Sequence, residues 1–331
     1  MTIKDFIDLC IGRLAPLYPA PEAKSIAFRL LEHFTDIPSY KYISDPSMEL
    51  QLRSDVSLTS QKKCSVNETS PASLARFPEA HSEPSVAAGT RNEEHRMLHQ
   101  ANAREPAPLC SALDELATGR PLQYVLGVTD FYGHRFKVGE GCLIPRPETE
   151  ELVSRMVDEL SGQELGEEPF NILDLCTGSG CIAWSLAAAF PEAMVYGCDL
   201  SDAALRYACK QRVKTGGAKP IFFTADVLAA PPAGLPPFDV IVSNPPYICE
   251  SERAQMRPNV LDFEPAEALF VPDDDPMRFY KAIARWADAL LRPGGRIFLE
   301  INERFGPEVA ALFPGAQVFP DLFGKDRFVI R

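Results

Sequence analysis

Two short runs in this 331-residue chain carry side chains whose types and spacing could do chemistry. The first is Ser243-Asn244-Pro245-Pro246-Tyr247-Ile248. Proline has no N–H, so Pro245 and Pro246 make a stiff corner of carbonyl oxygens whose only competing donors are Asn244 and Tyr247. Such a corner can hold a planar NH2 group by both hydrogens, one on the Asn244 side-chain oxygen and one on the Pro245 carbonyl, while Tyr247 packs on its face. An amide nitrogen or exocyclic amine is a weak nucleophile. Aligning it with an electrophilic methyl carbon is then the main lever, worth up to ~7 to 11 kcal/mol in the best intramolecular cases. Positive charge appears on that nitrogen during transfer, and carbonyl dipoles facing it stabilise the change. No strong base is demanded, because a hydrogen-bonded carbonyl or a water can relay the acidified proton.

The second run is Asp174-Leu175-Cys176-Thr177-Gly178-Ser179-Gly180, which follows an apolar strand pattern and opens a helical one. Its glycines let a ligand approach the backbone at the carboxyl edge of a sheet. Asp199 ends the next strand pattern, where a carboxylate can accept both hydroxyls of a ribose. Asp226 and Val227 follow the third, an acid for an adenine amino group and an apolar side chain to cover the ring. Gly178-Ser179-Gly180-Cys181-Ile182-Ala183 also fits the GxGxxA form of a dinucleotide fingerprint, so the turn alone leaves a dinucleotide and S-adenosylmethionine both open. Asp174 and Glu148 would suit the cationic groups of the second. A nicotinamide dehydrogenase would leave the Asn-Pro-Pro-Tyr corner without a task.

The elements that must position these runs follow from periodicity. Strands are predicted at 170–176, 193–198, 220–224, 238–243 and 296–301, with helices at 181–190, 202–214 and 277–292 between most of them. That alternation is an α/β, doubly wound and mostly parallel sheet. Segments 317–320 and 327–330 are predicted to close it as a reversed pair. Ahead of the sheet lie a short helix at 109–118 capped by Gly119, a hairpin around Gly133, and a helix opened by Pro145-Arg146-Pro147-Glu148-Thr149-Glu150. Residues 2–35 carry two helical patterns. Residues 40–107 scatter serine, proline, glutamate and arginine without period and are expected to be a flexible insert. His95 and His99 within it, lacking a third ligand, are expected to be solvated rather than a metal site.

Composition narrows the partners. Forty-six acidic against 33 basic side chains leave a net charge of −13, a poor field for duplex DNA. Nine cysteines without CxxC or metal-ligand spacing fit reduced thiols. No run reaches the ~18 apolar residues of a membrane span, so a cytoplasmic protein without membrane contact is expected.

Arg146-Pro147-Glu148-Thr149-Glu150, Asp174 to Gly180, Asp199, Asn244 to Tyr247 and Glu300 after Pro293-Gly294-Gly295 together resemble the PrmC/HemK family, the release factor glutamine methyltransferases. Arg120-Pro121-Leu122-Gln123-Tyr124 with Gly127 looks like the family's linker, and residues 321–327 look like its ending. The resemblance covers residues 109–331 strongly and the first helices weakly. It implies a class I S-adenosylmethionine-dependent methyltransferase fold with a small N-terminal helical domain. The implied activity is methylation of the side-chain amide N(5) of the glutamine in the Gly-Gly-Gln motif of class 1 peptide chain release factors, in translation termination. By motif, Cys176, Thr177, Gly178, Ser179 and Gly180 would line the methionine part of the cofactor, Asp199 its ribose, and Asp226 with Val227 its adenine, with Asn244 beside it. Asn244, Pro245, Pro246 and Tyr247 would hold the glutamine, Asn244 and Pro245 as the catalytic pair.

The implied organisation is N-terminal helices at 1–39 that dock the release factor together with 109–130, the insert at 40–107, a helix, linker and hairpin at 108–145, and a methyltransferase domain at 146–331. A monomer without a bound metal is expected. Two features depart from the pattern: Cys176 stands where the family usually has glycine, and the insert replaces part of the helical domain. Two other functions compete. A nucleic acid adenine N6-methyltransferase would show the same turn an exocyclic amine, but the charge opposes it and no base-recognition domain is evident. A non-catalytic release factor binding protein would bind the cofactor without single-turnover methylation.

Overall fold

The structure, a computed structural model, describes residues 1–52, 107–161 and 170–331. His95, His99 and most of the expected insert lie outside these residues. The described chain divides into two compact units, residues 1–12 with 20–111 and residues 13–19 with 112–331.

Helices α1 (Ile3–Leu14), α2 (Ala20–Phe34) and α3 (Lys41–Ser44) come first. Ala23, Ile26, Ala27, Leu30, Leu31 and Phe34 recur at the three-and-four spacing of one helix face, and all are buried. The segment after α3, expected to begin the insert, runs past the ends of the first two helices through the bridges Thr2 to Glu49 and Thr35 to Leu52. Helix α4 (Ala107–Ala117) and the single turn α5 (Leu122–Leu126) lead to strands β1 (Val128–Phe131) and β2 (His134–Lys137). Their hairpin turns on Tyr132 and Gly133, both with positive φ, the two-residue turn whose twist matches that of the strands. Helix α6 (Pro147–Leu160) starts with proline in its first turn and Glu148 and Glu150 beside the helix N-terminus.

Next come β3 (Phe170–Leu175), α7 (Cys181–Ala189), β4 (Ala193–Asp199), α8 (Asp202–Ala208), β5 (Ile221–Thr224) and β6 (Phe238–Ser243). The two-residue strands β7 (Ile248–Cys249) and β8 (Phe270–Val271) flank the turn α9 (Pro258–Leu261). The chain ends with α10 (Arg278–Leu290), β9 (Leu291–Glu300), α11 (Gly306–Ala311), β10 (Gln317–Pro320) and β11 (Asp326–Ile330).

One seven-stranded sheet runs in the order β10-β11-β9-β6-β3-β4-β5. Strands β5, β4, β3, β6 and β9 are parallel, and β11 pairs antiparallel with both β9 and β10. This is the expected mostly parallel, doubly wound sheet of a class I methyltransferase with its reversed closing pair. Both faces are covered, so the strands read as continuous apolar runs rather than alternating ones. Ile172, Val240, Val242, Phe298 and Phe328 pack on one side with Leu152, Met156, Ile182 and Leu186. Their neighbours Leu173, Ile241, Ile297, Leu299 and Val329 pack on the other with Tyr280, Ile283 and Trp286.

Helix α8 stops at Ala208, short of the expected 214. Gln211 is the reason: its buried side chain accepts from Lys137 N at 2.8 Å and donates to Lys137 O at 2.9 Å and Ser179 O at 3.1 Å. That amide pairs with β2 as a strand would, and a helix continued past 208 would turn it away. Strand β9 also begins earlier than the expected 296, with Leu291 opposite Phe238 before a register shift. No described helix is long and apolar enough to cross a membrane.

Candidate active site

Strand order reverses between β3 and β6, the switch point at which open α/β sheets bind ligands beyond the strands' carboxyl ends. The two strands are in register through Leu175 and Ser243, and the Ser243 hydroxyl donates to the Leu175 carbonyl at 2.7 Å. Cys176 and Asn244, the next residues, therefore start their turns side by side. Both turns face one cavity of about 410 Å³, within the ~300 to 1,000 Å³ of small-molecule sites. Of the residues expected to bind a cofactor, Cys176, Thr177, Gly178, Ser179, Asp199, Asp226, Val227 and Asn244 line it.

The glycine turn is shaped by its backbone. Cys176, Gly178 and Gly180 have φ of 59°, 56° and 77°, the left-handed region that costs residues with a Cβ roughly 1–2 kcal/mol. At Gly178 a Cβ would meet nothing, so that side of the turn stands open. At Gly180 it would press within 3.0–3.1 Å of Phe222, Ala208 and Trp184; this glycine serves helix packing and does not line the cavity. Two carboxylates pin the turn. Asp199 accepts from Gly178 N at 2.8 Å and Ser201 N at 2.9 Å; burial pushes its carboxyl above the ordinary range, and these N–H groups draw it back. Asp174 is fully buried beneath the turn and accepts from the Thr177 hydroxyl at 2.5 Å and Ala183 N at 3.2 Å. Burial pushes Asp174 up to about 7. Asp174 and Glu148, expected to suit cationic groups, do not line the cavity. Burial also keeps the Cys176 thiol protonated, well above its ordinary range.

The Asn-Pro-Pro-Tyr turn is shaped by side chains. Asn244 Nδ2 donates to Thr149 Oγ1 at 3.0 Å, the Thr149 hydroxyl donates to Glu300 Oε2 at 2.6 Å, and the Tyr247 hydroxyl donates to Glu300 Oε1 at 2.9 Å. Behind the turn, Asn302 Nδ2 donates to the Tyr247 carbonyl at 3.1 Å. Burial raises the Glu300 carboxyl, opposed by the hydrogen bonds from Thr149 and Tyr247 and by the Arg327 charge. Burial, then the Glu300 charge, holds the Tyr247 hydroxyl well above its usual range, so it remains a donor. Asn244 and Pro246 line the cavity; Pro245 and Tyr247 do not, and Tyr247 is committed to Glu300.

The remaining walls were not predicted. Leu143, Arg146 and Thr149 come from the approach to α6 and its first turn, Pro265 and Glu267 from the loop before β8, and Phe279 from α10. Arg146 is latched to buried Glu264 at 2.7 Å, and Glu264 also accepts from Ile144 N at 3.0 Å. The Arg146-Pro147-Glu148-Thr149-Glu150 run was the one available signal for this wall. Among the described residues, no group of three or more His, Cys, Asp or Glu side chains could hold a metal ion.

A family model described as "Methyltransferase small domain" matches residues 153–261. The chain is similar to a release factor glutamine methyltransferase of Bacteroides thetaiotaomicron, 43% identical over 65% of this chain and 76% of the relative. A release factor glutamine methyltransferase of Cereibacter sphaeroides is 42% identical over 72% of this chain and 89% of its own length. Among solved structures, TrmN from Thermus thermophilus is 26% identical over 54% of this chain and 46% of its own, with a TM-score of 0.36.

Proposed function

The chain belongs to the release factor glutamine methyltransferase family, and from that premise we propose that it methylates the side-chain amide nitrogen of the glutamine in the Gly-Gly-Gln motif of a class 1 peptide chain release factor. S-adenosylmethionine supplies the methyl group, bonded to a sulfonium sulfur that leaves as a neutral thioether. One observation carries the reading: the glycine turn and the Asn-Pro-Pro-Tyr turn open onto the same cavity.

The lining fits that methyl donor. Asp199, Asp226 and Glu267 place three carboxylates at the cavity against one guanidinium, Arg146, itself paired with Glu264. A pyrophosphate would meet repulsion there, whereas a cationic sulfonium and an amino group would not. Asp199 keeps lone pairs beyond those facing Gly178 and Ser201, enough to accept ribose hydroxyls. Asp226 and the buried Val227 supply an acceptor and an apolar wall for an adenine.

The substrate side follows from what Asn244 has left to offer. Its Nδ2 is engaged by Thr149, so its Oδ1 is the end available to accept one N–H of a glutamine amide. The Pro245 carbonyl, expected to accept the other, belongs to a residue outside the cavity lining. Holding the amide at Asn244 Oδ1, in the wall shared with the glycine turn, aims its nitrogen toward the methyl-bearing side of the cavity. Carbon–nitrogen bond formation and carbon–sulfur cleavage then exchange one positive charge, and the amide loses one N–H proton along its hydrogen bond. Tyr247 braces the turn through Glu300, a different task from the face packing expected of it. The test is methyl transfer from labelled S-adenosylmethionine to a release factor and to duplex DNA side by side. The reading requires label in the release factor; label in DNA alone would refute it.

A further inference from the structure

The acceptor at Asn244 is set by a relay that no sequence motif spells out. Thr149 and Glu300 lie 151 positions apart, and they are 2% and 1% exposed. A threonine hydroxyl has one proton to give, and here it goes to Glu300 Oε2 at 2.6 Å. Toward Asn244 the same oxygen can then only accept, and it does, from Nδ2 at 3.0 Å. The second Glu300 oxygen takes the Tyr247 proton at 2.9 Å. The carboxylate thus receives one donor from each side of the turn and has none to return. We propose that Thr149 and Glu300 are positioning residues that set the polarity of the Asn244 amide, turning its donor end to Thr149 and its acceptor end to the substrate.

The reverse polarity would place N–H groups of Asn244 against the N–H groups of an incoming amide. A carboxylate at 300 forbids that state and a carboxamide would not. Glutamine there can donate to Thr149, which frees the Thr149 proton for Asn244 Oδ1 and turns the Asn244 NH2 outward. The relay is therefore a specificity device: it selects a substrate group that donates two protons, a carboxamide, over one that only accepts, a carboxylate. The inference rests on the reading of a glutamine amide as substrate.

The test compares the full-length chain with its Thr149→Val, Thr149→Ser and Glu300→Gln variants. Two quantities are measured: S-adenosylmethionine affinity by calorimetry, and methyl transfer to a release factor at saturating methyl donor. The same release factor with its glutamine replaced by glutamate serves as a competitor. Thr149→Val should lower kcat/KM for the release factor on the order of tenfold to a hundredfold, with donor affinity within about twofold of wild type. Thr149→Ser, which keeps the hydroxyl, should restore most of that loss. Glu300→Gln should also slow transfer, and it should narrow the preference for the glutamine form over the glutamate form. If Thr149→Val methylates as wild type does, or Glu300→Gln keeps the full preference, the relay is overturned. Should Thr149→Val lose donor binding through misfolding, the Glu300→Gln preference decides alone. A wild type inert toward every release factor would sink the substrate reading and the relay with it, whereas an active wild type with indifferent variants sinks the relay only.

Discussion

The two turns that face the cavity start from adjacent strand ends, joined by one hydrogen bond from Ser243 to Leu175, and are built by opposite means. The glycine turn takes its shape from the backbone, with positive φ at Cys176, Gly178 and Gly180, and its Gly178 N–H and Thr177 hydroxyl are tied by the carboxylates of Asp199 and Asp174. The Asn-Pro-Pro-Tyr turn has no positive φ. Two prolines stiffen it, and it is held by side chains from α6, β9 and the residue pair after β9: Thr149, Glu300 and Asn302. A backbone cradle recognises shape and is tuned by the size of what stands in it. A side-chain relay recognises the direction of hydrogen bonds and is tuned by where protons sit. Damage to the first should appear as lost cofactor affinity, and damage to the second as lost turnover.

The sharpest way to break that division is Asn244→Ala, for which turnover should fall on the order of 10²- to 10³-fold with methyl-donor affinity nearly unchanged. Equal losses in binding and turnover would merge the two turns into one functional unit. The mirror experiment is Asp199→Ala. Removing the carboxylate proposed to accept ligand hydroxyls should weaken donor binding roughly tenfold to a hundredfold, while the rate at saturating donor changes much less; calorimetry and single-turnover rates check the two halves.

A third experiment acts on stability. Asp174 is held up to about 7 in the folded chain by burial, against ~3.9 for an ordinary aspartate. Between those values the folded state holds a proton that the unfolded state has lost, so this group's contribution to stability is complete at low pH and falls as pH rises toward 7. Asp174→Asn should flatten that slope, read as a smaller drop in thermal midpoint between pH 5 and pH 7.5, both chosen to straddle about one shifted titration. The smallest effect is expected at Cys176. Cys176→Gly relieves roughly 1–2 kcal/mol of left-handed strain but adds about 0.5–1 kcal/mol of unfolded-chain entropy. The net gain in stability should stay near 1 kcal/mol or less. The same change opens the cavity wall and should tighten donor binding by severalfold at most.

The contrast between the turns also explains what was legible in the sequence. Strands such as β3 and β6 are buried on both faces and so read as unbroken apolar runs, and the glycines and Asp199 recur at short spacings that a linear reading detects. The Asn-Pro-Pro-Tyr corner was legible as well, in that Asn244 and Pro246 line the cavity. Its support was not, because Thr149 and Glu300 meet across 151 positions and Arg146 and Glu264 across 118, and nothing local in either partner announces the other. Tyr247 shows the limit most clearly: its type suggested a face for packing, while the structure engages its hydroxyl in the relay. The end of α8 was misplaced for a related reason, since Gln211 reads as a helix former until its bonds to Lys137 and Ser179 are seen.

The central claim, that the Asn244 corner holds a carboxamide for methyl transfer, is tested most directly by locating the methyl group. A release factor incubated with this protein and labelled S-adenosylmethionine, digested and sequenced by tandem mass spectrometry, should carry a single methyl on the side-chain nitrogen of the Gly-Gly-Gln glutamine. A methyl group on a main-chain, carboxylate or other side-chain position, or an unmodified peptide from an enzyme that binds the donor, would contradict it.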